Sequence, residues 1–185
     1  MQFPFQDRKT AQAAAHLIKL AGGRLNYMVL IKLLYLADRE MLLNLGVPIT
    51  GDRMVSMDNG PVLSKVLDFV NMGKRANHTD GSAWFEYVSD PTGYDVGLAK
   101  ADPENDELSV YELRLLAGVF DRYGRMDKWD LVKLLHGFPE LADPGGSCLP
   151  IAPENILRAE SRSEDEIKRV NAGADELRLL ASLGP

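Results

Sequence analysis

The sequence has few of the side chains on which disulfide frameworks and metal sites depend. Cys148 is its single cysteine, which excludes an intrachain disulfide framework and is typical of a reducing cytoplasm. Its three histidines, His16, His78 and His136, are far apart, and none has a second histidine or cysteine three or four residues away. Because zinc sites use such close pairs of ligands, we expect neither a metal nor another cofactor.

The sequence also lacks a long uncharged apolar run. Its most apolar stretch, residues 25–45, is interrupted by Lys32, Asp38, Arg39 and Glu40. A membrane span needs about 20 nearly uncharged residues, so this stretch predicts a core helix instead. The first residues show no basic region followed by an apolar one, as a signal peptide would. We therefore expect a cytoplasmic protein that does not enter a membrane.

Basic residues are outnumbered, since 21 Lys and Arg stand against 27 Asp and Glu, for a net charge of −6. Residues 1–79 nevertheless carry +4, whereas residues 80–107 carry −7, with Lys100 as their single cation. An acidic chain is a poor general ligand for phosphate backbones, so nucleic-acid binding is not expected. Uneven charge matters more for a protein partner, and segment 80–107 could steer a basic one.

Hydrophobic periodicity predicts two helices at the start of the chain. The first covers residues 7–20 and ends at Gly22 and Gly23, which tolerate the left-handed backbone that closes a helix. The second covers residues 25–45 and is apolar around its whole circumference. Such a helix is wrapped by other elements, so we expect it to be the central rod of the fold.

The period then changes to that of strands. Residues 53–57 predict a short strand, and Pro61 suits the first position of the helix that follows. Residues 84–88 and 94–98 flank a turn and predict a β-hairpin. A lone hairpin is marginally stable in water, so we expect it to join strand 53–57 in one small antiparallel sheet.

The second half returns to helical patterns. Capping boxes begin at Ser109 and Ser163, Asp127 can cap a helix that runs through His136, and Pro153 can open a short helix. The fold class that follows is mainly α (α+β): a helical domain around a central apolar helix, with a small antiparallel β-sheet insertion.

Asp38 is a charged residue among apolar side chains on one stripe of the second helix. A buried carboxylate must be paired or strongly hydrogen-bonded. Arg53 is the partner we predict, because a guanidinium binds a carboxylate with two parallel hydrogen bonds. The predicted Asp38–Arg53 ion pair would fix the sheet to the rod.

Two other functional classes stay open. Cys148, His136 and Asp143 could form a cysteine-dependent hydrolase, but Cys148 lies in a loop rich in Pro and Gly with no helix N-terminus directly after it to activate the thiol. The first two helices resemble a helix-turn-helix of a DNA-binding regulator, but the second lacks the basic face of a recognition helix. We favour a protein-binding function over both, and do not expect an enzyme.

Several motifs carry a resemblance to a known family. They are residues 31–40 (IKLLYLADRE), 48–57 (PITGDRMVSM), 59–62 (NGPV), 129–132 (WDLV), 138–140 (FPE) and 143–147 (DPGGS), together with His136. In this order they resemble the SocA-like antitoxin family, also called the Panacea domain, over roughly residues 7–160. Leu141 departs from the pattern, which has an aromatic residue after the Pro-Glu pair.

The resemblance implies an antitoxin of a bacterial or phage-associated toxin–antitoxin pair, which neutralises its cognate protein toxin by direct contact. Family members meet unrelated toxins, and some are thought to hand the toxin to an ATP-dependent protease. We expect an antitoxin domain over residues 1–160, with a C-terminal helix at 161–185 packed on it.

We place the contact with the toxin on segment 51–61 and on the surface around the hairpin. A sheet edge there could pair with a partner through unpaired backbone groups. The candidate contact residues are Asp52, Arg53, Val55, Met57, Asn59, Gly60, Pro61, Trp84 and Tyr87.

Overall fold

The fold is mainly helical, as predicted. The computed structural model describes residues 1–75 and 81–183; residues 76–80, with His78, and residues 184–185 lie outside the described residues. The helices are α1 (Asp7–Leu20), α2 (Tyr27–Leu45), α3 (Ser64–Lys74), α4 (Trp84–Tyr87), α5 (Val110–Tyr123), α6 (Lys128–His136), α7 (Pro153–Ala159) and α8 (Glu164–Ser182). The strands are β1 (Arg24–Asn26), β2 (Met54–Met57), β3 (Gly60–Leu63), β4 (Asp95–Gly97) and β5 (Leu149–Pro150).

Helix α2 is the central rod that its apolar circumference predicts. Thirteen of its 19 residues are buried, and it contacts α1, α3, α5, α6, α7, β1 and β3. The Asn26 side chain caps its first turn by accepting from the N–H of Met28, and Gly46 ends it in the left-handed conformation. None of the described helices is long and apolar enough to cross a lipid bilayer.

The strands form two small antiparallel sheets instead of the single predicted one. β1 pairs with β4, and β2 lies between β3 and β5. The predicted hairpin is wrong, because residues 84–87 form the helical turn α4. Trp84 and Tyr87 are three residues apart, so one turn of helix buries both of them against α1. Asp7 of α1 accepts from the N–H of Ala83 at 2.8 Å and holds the start of this turn.

Both edges of the three-stranded sheet carry a proline. The N–H of Ser64 donates to the carbonyl of Arg53, directly before β2, and the N–H of Ile151 donates to the carbonyl of Met54 from the other side. Bonding alternates along an antiparallel ladder, so Pro61, three positions before Ser64, and Pro150, one position before Ile151, occupy places where an N–H would point away from β2. The prediction that Pro61 opens a helix is therefore wrong: it lies in an edge strand where no ladder bond needs its N–H.

The helix starts of the second half are confirmed. Complete capping boxes occur at Ser109 and Ser163, and the Asp127 side chain accepts from the N–H of Trp129 at the start of α6. Pro153 is the first residue of α7. Local cap chemistry was enough to locate these helices.

The last helix is only partly covered by the rest of the domain. Ile167 and Ala174 in its first half are buried. Leu179, Leu180 and Leu183 at its far end are 63%, 64% and 72% exposed. The predicted division of the chain at residue 160 stays a prediction.

Candidate functional site

Asp38 is fully buried on α2, and its partner is Thr50. The backbone N–H of Thr50 donates to Asp38 Oδ1 at 2.9 Å, and the Thr50 hydroxyl donates to Oδ2. The predicted pair with Arg53 is wrong, because the Arg53 side chain is exposed and donates to Ser64 Oγ at 3.1 Å. Burial raises the pKa of Asp38 to about 7, against the opposing effect of the two Thr50 hydrogen bonds.

Thr50 passes this contact on to Asp52. Its hydroxyl oxygen accepts from the N–H of Asp52 at 3.0 Å. The Asp52 carboxylate then accepts from the N–H groups of Lys65 and Val66, at 2.9 and 3.1 Å. Those groups belong to the first turn of α3, whose N-cap position is Leu63 and offers no side-chain acceptor. Burial raises the pKa of Asp52, and its backbone hydrogen bonds oppose the shift.

Gly51 locks the N-terminal segment against this loop. Its φ is +65°, and a Cβ atom added to it would lie 2.1 Å from the carbonyl oxygen of Pro4. Next to it, the N–H of Gln6 donates to the carbonyl of Thr50 at 2.8 Å. Only glycine allows this close approach of two backbones.

Lys32 of α2 holds the other end of the same segment. Its side chain is buried, and Nζ donates to the carbonyl of Asn59 at 2.5 Å and lies 3.5 Å from that of Pro61. A Cβ on Gly60 would come within 3.2 Å of this nitrogen. Because no carboxylate among the described residues pairs with it, burial lowers the pKa of Lys32 to about 8.

A third polar contact ties α2 to the FPE motif. Glu140 accepts from Arg39 Nε at 2.6 Å and from the Tyr35 hydroxyl at 3.0 Å. Arg39 also pairs with Glu160 at 2.6 Å and lies 4.5 Å above the ring of Phe138. The polar residues of these motifs thus fasten the loops onto α2.

A family model described as "Antitoxin SocA-like, Panacea domain" matches residues 30–140. The chain belongs to this family. The matched range holds all of the buried polar contacts just described except Glu160 and the contacts of residues 4 and 6. No curated protein and no solved structure matches the chain.

The expected contact residues of this Panacea domain lie in very different places. Arg53 and Asn59 are exposed and Met57 is half-buried. The expected contact residues that the structure buries are Asp52, Val55, Gly60, Pro61, Trp84 and Tyr87. Those buried residues are corrected to structural roles, since they cannot meet a partner in this conformation.

Two of the corrections have specific packing reasons. Trp84 stacks on Phe69 with 5.6 Å between the ring centroids, and the Tyr87 hydroxyl accepts from the side-chain amide of Gln12. Pro61 and Pro150 each also remove one outward N–H group from an outer strand of the three-stranded sheet, so fewer donors are left for the expected strand addition, which stays a prediction.

A large concave surface lies beside Arg53. This Arg53 groove is bounded by residues 1–5, loop 51–54, the start of α3 at 64–68, and residues 150–158, and its volume is about 860 Å³. Sequence reasoning had included loop 51–54 but missed the other walls, which no local pattern connects.

Two cations of the Arg53 groove have no ion pair with any described residue. The Arg53 guanidinium uses one hydrogen bond, to Ser64, and Lys65 Nζ lies 4.4 Å above the ring of Phe5. By contrast, Arg158 is paired with Glu164 at 2.8 Å. The groove therefore offers two cations that form no direct ion pair with a described residue, with the carboxylates of Asp52 and Asp68 in the same lining.

The acidic segment 80–107 is partly neutralised within the molecule. In the described part of this segment at least four carboxylates form ion pairs with Lys or Arg, three of them with cations from the first 24 residues. These pairs are Arg8–Glu86, Lys19–Asp102, Arg24–Asp95 and Lys100–Glu104. Less negative potential is left to steer a basic partner than the sequence charge suggests.

The described structure shows no hydrogen bonds among the three residues that the hydrolase alternative needs. Cys148 is exposed, and no hydrogen bond joins it to His136 or Asp143 in the described part of the chain. His136 Nδ1 instead donates to the carbonyl of Val132 at 2.9 Å, and Asp143 accepts from the N–H of Gly145. Among residues 1–75 and 81–183, no cluster of three or more His, Cys, Asp or Glu side chains could hold a metal ion.

Proposed function

We propose that this Panacea domain is the antitoxin of a toxin–antitoxin pair and neutralises a cognate protein toxin by direct binding in the Arg53 groove. The observation that carries the proposal is the frame around loop 50–53. Asp38, Thr50 and Asp52 are buried and satisfy one another, whereas Arg53 alone turns its side chain outward to the groove.

The frame makes the groove suitable for binding. Loop 50–53 is held on one side by α2 and on the other by the first turn of α3. A surface that is already ordered loses little conformational entropy when a partner docks. The buried hydrogen bonds thus support binding without themselves touching the toxin.

The origin of the walls supports a role in selecting the partner. Loop 51–54 and the start of α3 lie within the matched residues 30–140, whereas segments 1–5 and 150–158 lie outside them. One part of the groove thus comes from the family domain and the other from the segments that flank it. This division suits a family whose members bind unrelated toxins. The identity of the toxin would then depend on the walls.

The test is co-expression with the toxin encoded beside this chain. The parent should rescue growth and co-purify with the toxin in a stoichiometric complex. Ala152→Trp places a bulky ring in the groove wall and should abolish both. Ala172→Trp on the exposed surface of α8 is the matched control and should retain both.

Melting temperatures of the two Trp variants must match the parent for the comparison to hold. Rescue by Ala152→Trp with an intact complex would contradict the groove, and failure of the parent to bind the toxin would contradict direct neutralisation. Rescue that is lost only in a host without its ATP-dependent proteases would make the domain an adaptor for proteolysis.

A further inference from the structure

We infer that the Arg53 groove receives an acidic segment of the partner, whose carboxylate is bound by Arg53 and Lys65 while its apolar neighbours contact the groove wall. The inference rests on the proposed function and specifies the chemistry of the occupant. It replaces recognition through a sheet edge by recognition through side chains.

One carboxylate, that of Asp52, holds the backbone of both Arg53 and Lys65. Asp52 accepts from the N–H of Arg53 at 2.6 Å and from the N–H of Lys65 at 2.9 Å. The carbonyl of Arg53 also accepts from the N–H of Ser64 at 2.9 Å. Arg53 and Lys65 therefore leave the backbone from adjacent points and project from the same side of the loop.

The free hydrogen-bonding capacity of Arg53 matches a carboxylate. A guanidinium has five N–H groups, and Arg53 uses one bond, to Ser64, among the described residues. The rest can bind both oxygens of a carboxylate in parallel, and Lys65 adds a second positive charge beside it. The Asp52 oxygens are directed onto backbone N–H groups, so its charge interacts with Lys65 through space and without a direct ion pair.

Apolar side chains border the two cations. Phe3 and Phe5 line the groove from the N-terminal segment, and Pro150 and Pro153 line it from the opposite wall. Both phenylalanines are only half-buried, so part of each ring is available for contact. Asp68 also lines the groove and is exposed, so it would repel a carboxylate placed next to it and favour one placed at Arg53 and Lys65.

The occupant we choose is a segment of the toxin and not a second copy of this chain. The most acidic part of this chain is segment 80–107, and ion pairs within the molecule already engage its Glu86, Asp95, Asp102 and Glu104. A partner that brings an unpaired carboxylate complements Arg53 and Lys65 better.

The first experiment measures the affinity of the purified chain for the co-expressed toxin. Arg53→Glu and Lys65→Glu should each weaken binding about 100-fold, and added salt should slow association of the parent. Arg53→Lys should fall between parent and Arg53→Glu, because it keeps the charge and loses the fork geometry. Arg114→Glu, an exposed arginine outside the groove, is the control and should bind like the parent.

The second experiment uses a carbodiimide to couple amines to carboxylates in the complex. Lys65 should form an amide with an Asp or Glu of the toxin, identified by mass spectrometry, and Lys65→Arg should lose that product. A product between Lys65 and a second copy of this chain would overturn the inference. So would a complex that forms normally with both charge-reversal variants and gives no Lys65 product, although direct binding would then still stand.

Discussion

Thr50 donates both of its hydrogen-bonding protons to Asp38, one from its backbone N–H and one from its hydroxyl. The same hydroxyl accepts from the N–H of Asp52. One side chain thus connects a carboxylate on α2 to the residue that caps α3. The neighbour that satisfies the buried carboxyl group of Asp38 is a small hydroxyl residue rather than a cation.

Thr50→Val should lower the free energy of unfolding by about 2–3 kcal/mol, because it keeps the shape of the side chain and leaves Asp38 Oδ2 and the Asp52 N–H without a partner. Thr50→Ser keeps the hydroxyl and should cost about 1 kcal/mol or less. Urea unfolding of the three proteins would measure the difference. Equal losses in both variants would show that packing of the methyl group, and not the hydroxyl, matters here.

The raised pKa of Asp38 predicts how stability depends on pH. The folded protein keeps the proton of Asp38 up to about pH 7, whereas the unfolded chain releases it near pH 4. This group therefore favours folding most at low pH, and its contribution falls by up to about 4 kcal/mol as the pH rises from 4 to 7. Asp38→Asn should gain stability relative to the parent over that interval. If the free energy of unfolding changed with pH in the same way in both proteins, this prediction would be contradicted.

Lys32 predicts the opposite behaviour at higher pH. Its pKa in the folded protein is about 8, below the usual 10.5, so the unfolded chain holds the proton longer. Its contribution to the free energy of unfolding should be constant below pH 8 and should rise between pH 8 and about 10.5. Lys32→Met should remove that rise. Unfolding measured at pH 7, 9 and 10 would test this, and a rise that persists in the variant would assign it to other groups.

Gly51→Ala should displace the N-terminal segment from loop 50–53, because the new methyl group would collide with the carbonyl oxygen of Pro4. Hydrogen exchange at the N–H of Gln6, which donates to Thr50, should speed up. Gly145→Ala is the matched control: its φ is also positive, +56°, but nothing lies within 4 Å of the added atom. Similar exchange in both variants would point to backbone strain alone.

Local signals in the sequence predicted most helices. The features that they did not predict depend on contacts between residues far apart in the chain. Ser109 and Ser163 show their caps within four residues, so α5 and α8 could be located. The aromatic side chains of residues 84–88 suit a strand equally well, and the contact that makes them helical is with α1, more than 70 positions away. The burial of Asp38 followed from its apolar stripe, but its partner did not.

The Arg53 groove could not be predicted from sequence patterns for a similar reason. Its walls come from four segments that are separated by up to about 150 residues, and nothing in any one of them indicates the others. Arg53 itself was expected at the partner surface, but the reason for that expectation was its place in a sheet edge. The structure leaves it exposed because Thr50, and not Arg53, satisfies Asp38.

The prolines at positions 61 and 150 disfavour the addition of a fourth strand to the three-stranded sheet. A fourth strand, from any source, would meet a face that has lost a donor on each side. Copies of the domain therefore find fewer free backbone donors at these two edges on which to stack into ordered aggregates. The same two residues thus limit the association of the domain with itself as well as the addition of a strand from another protein.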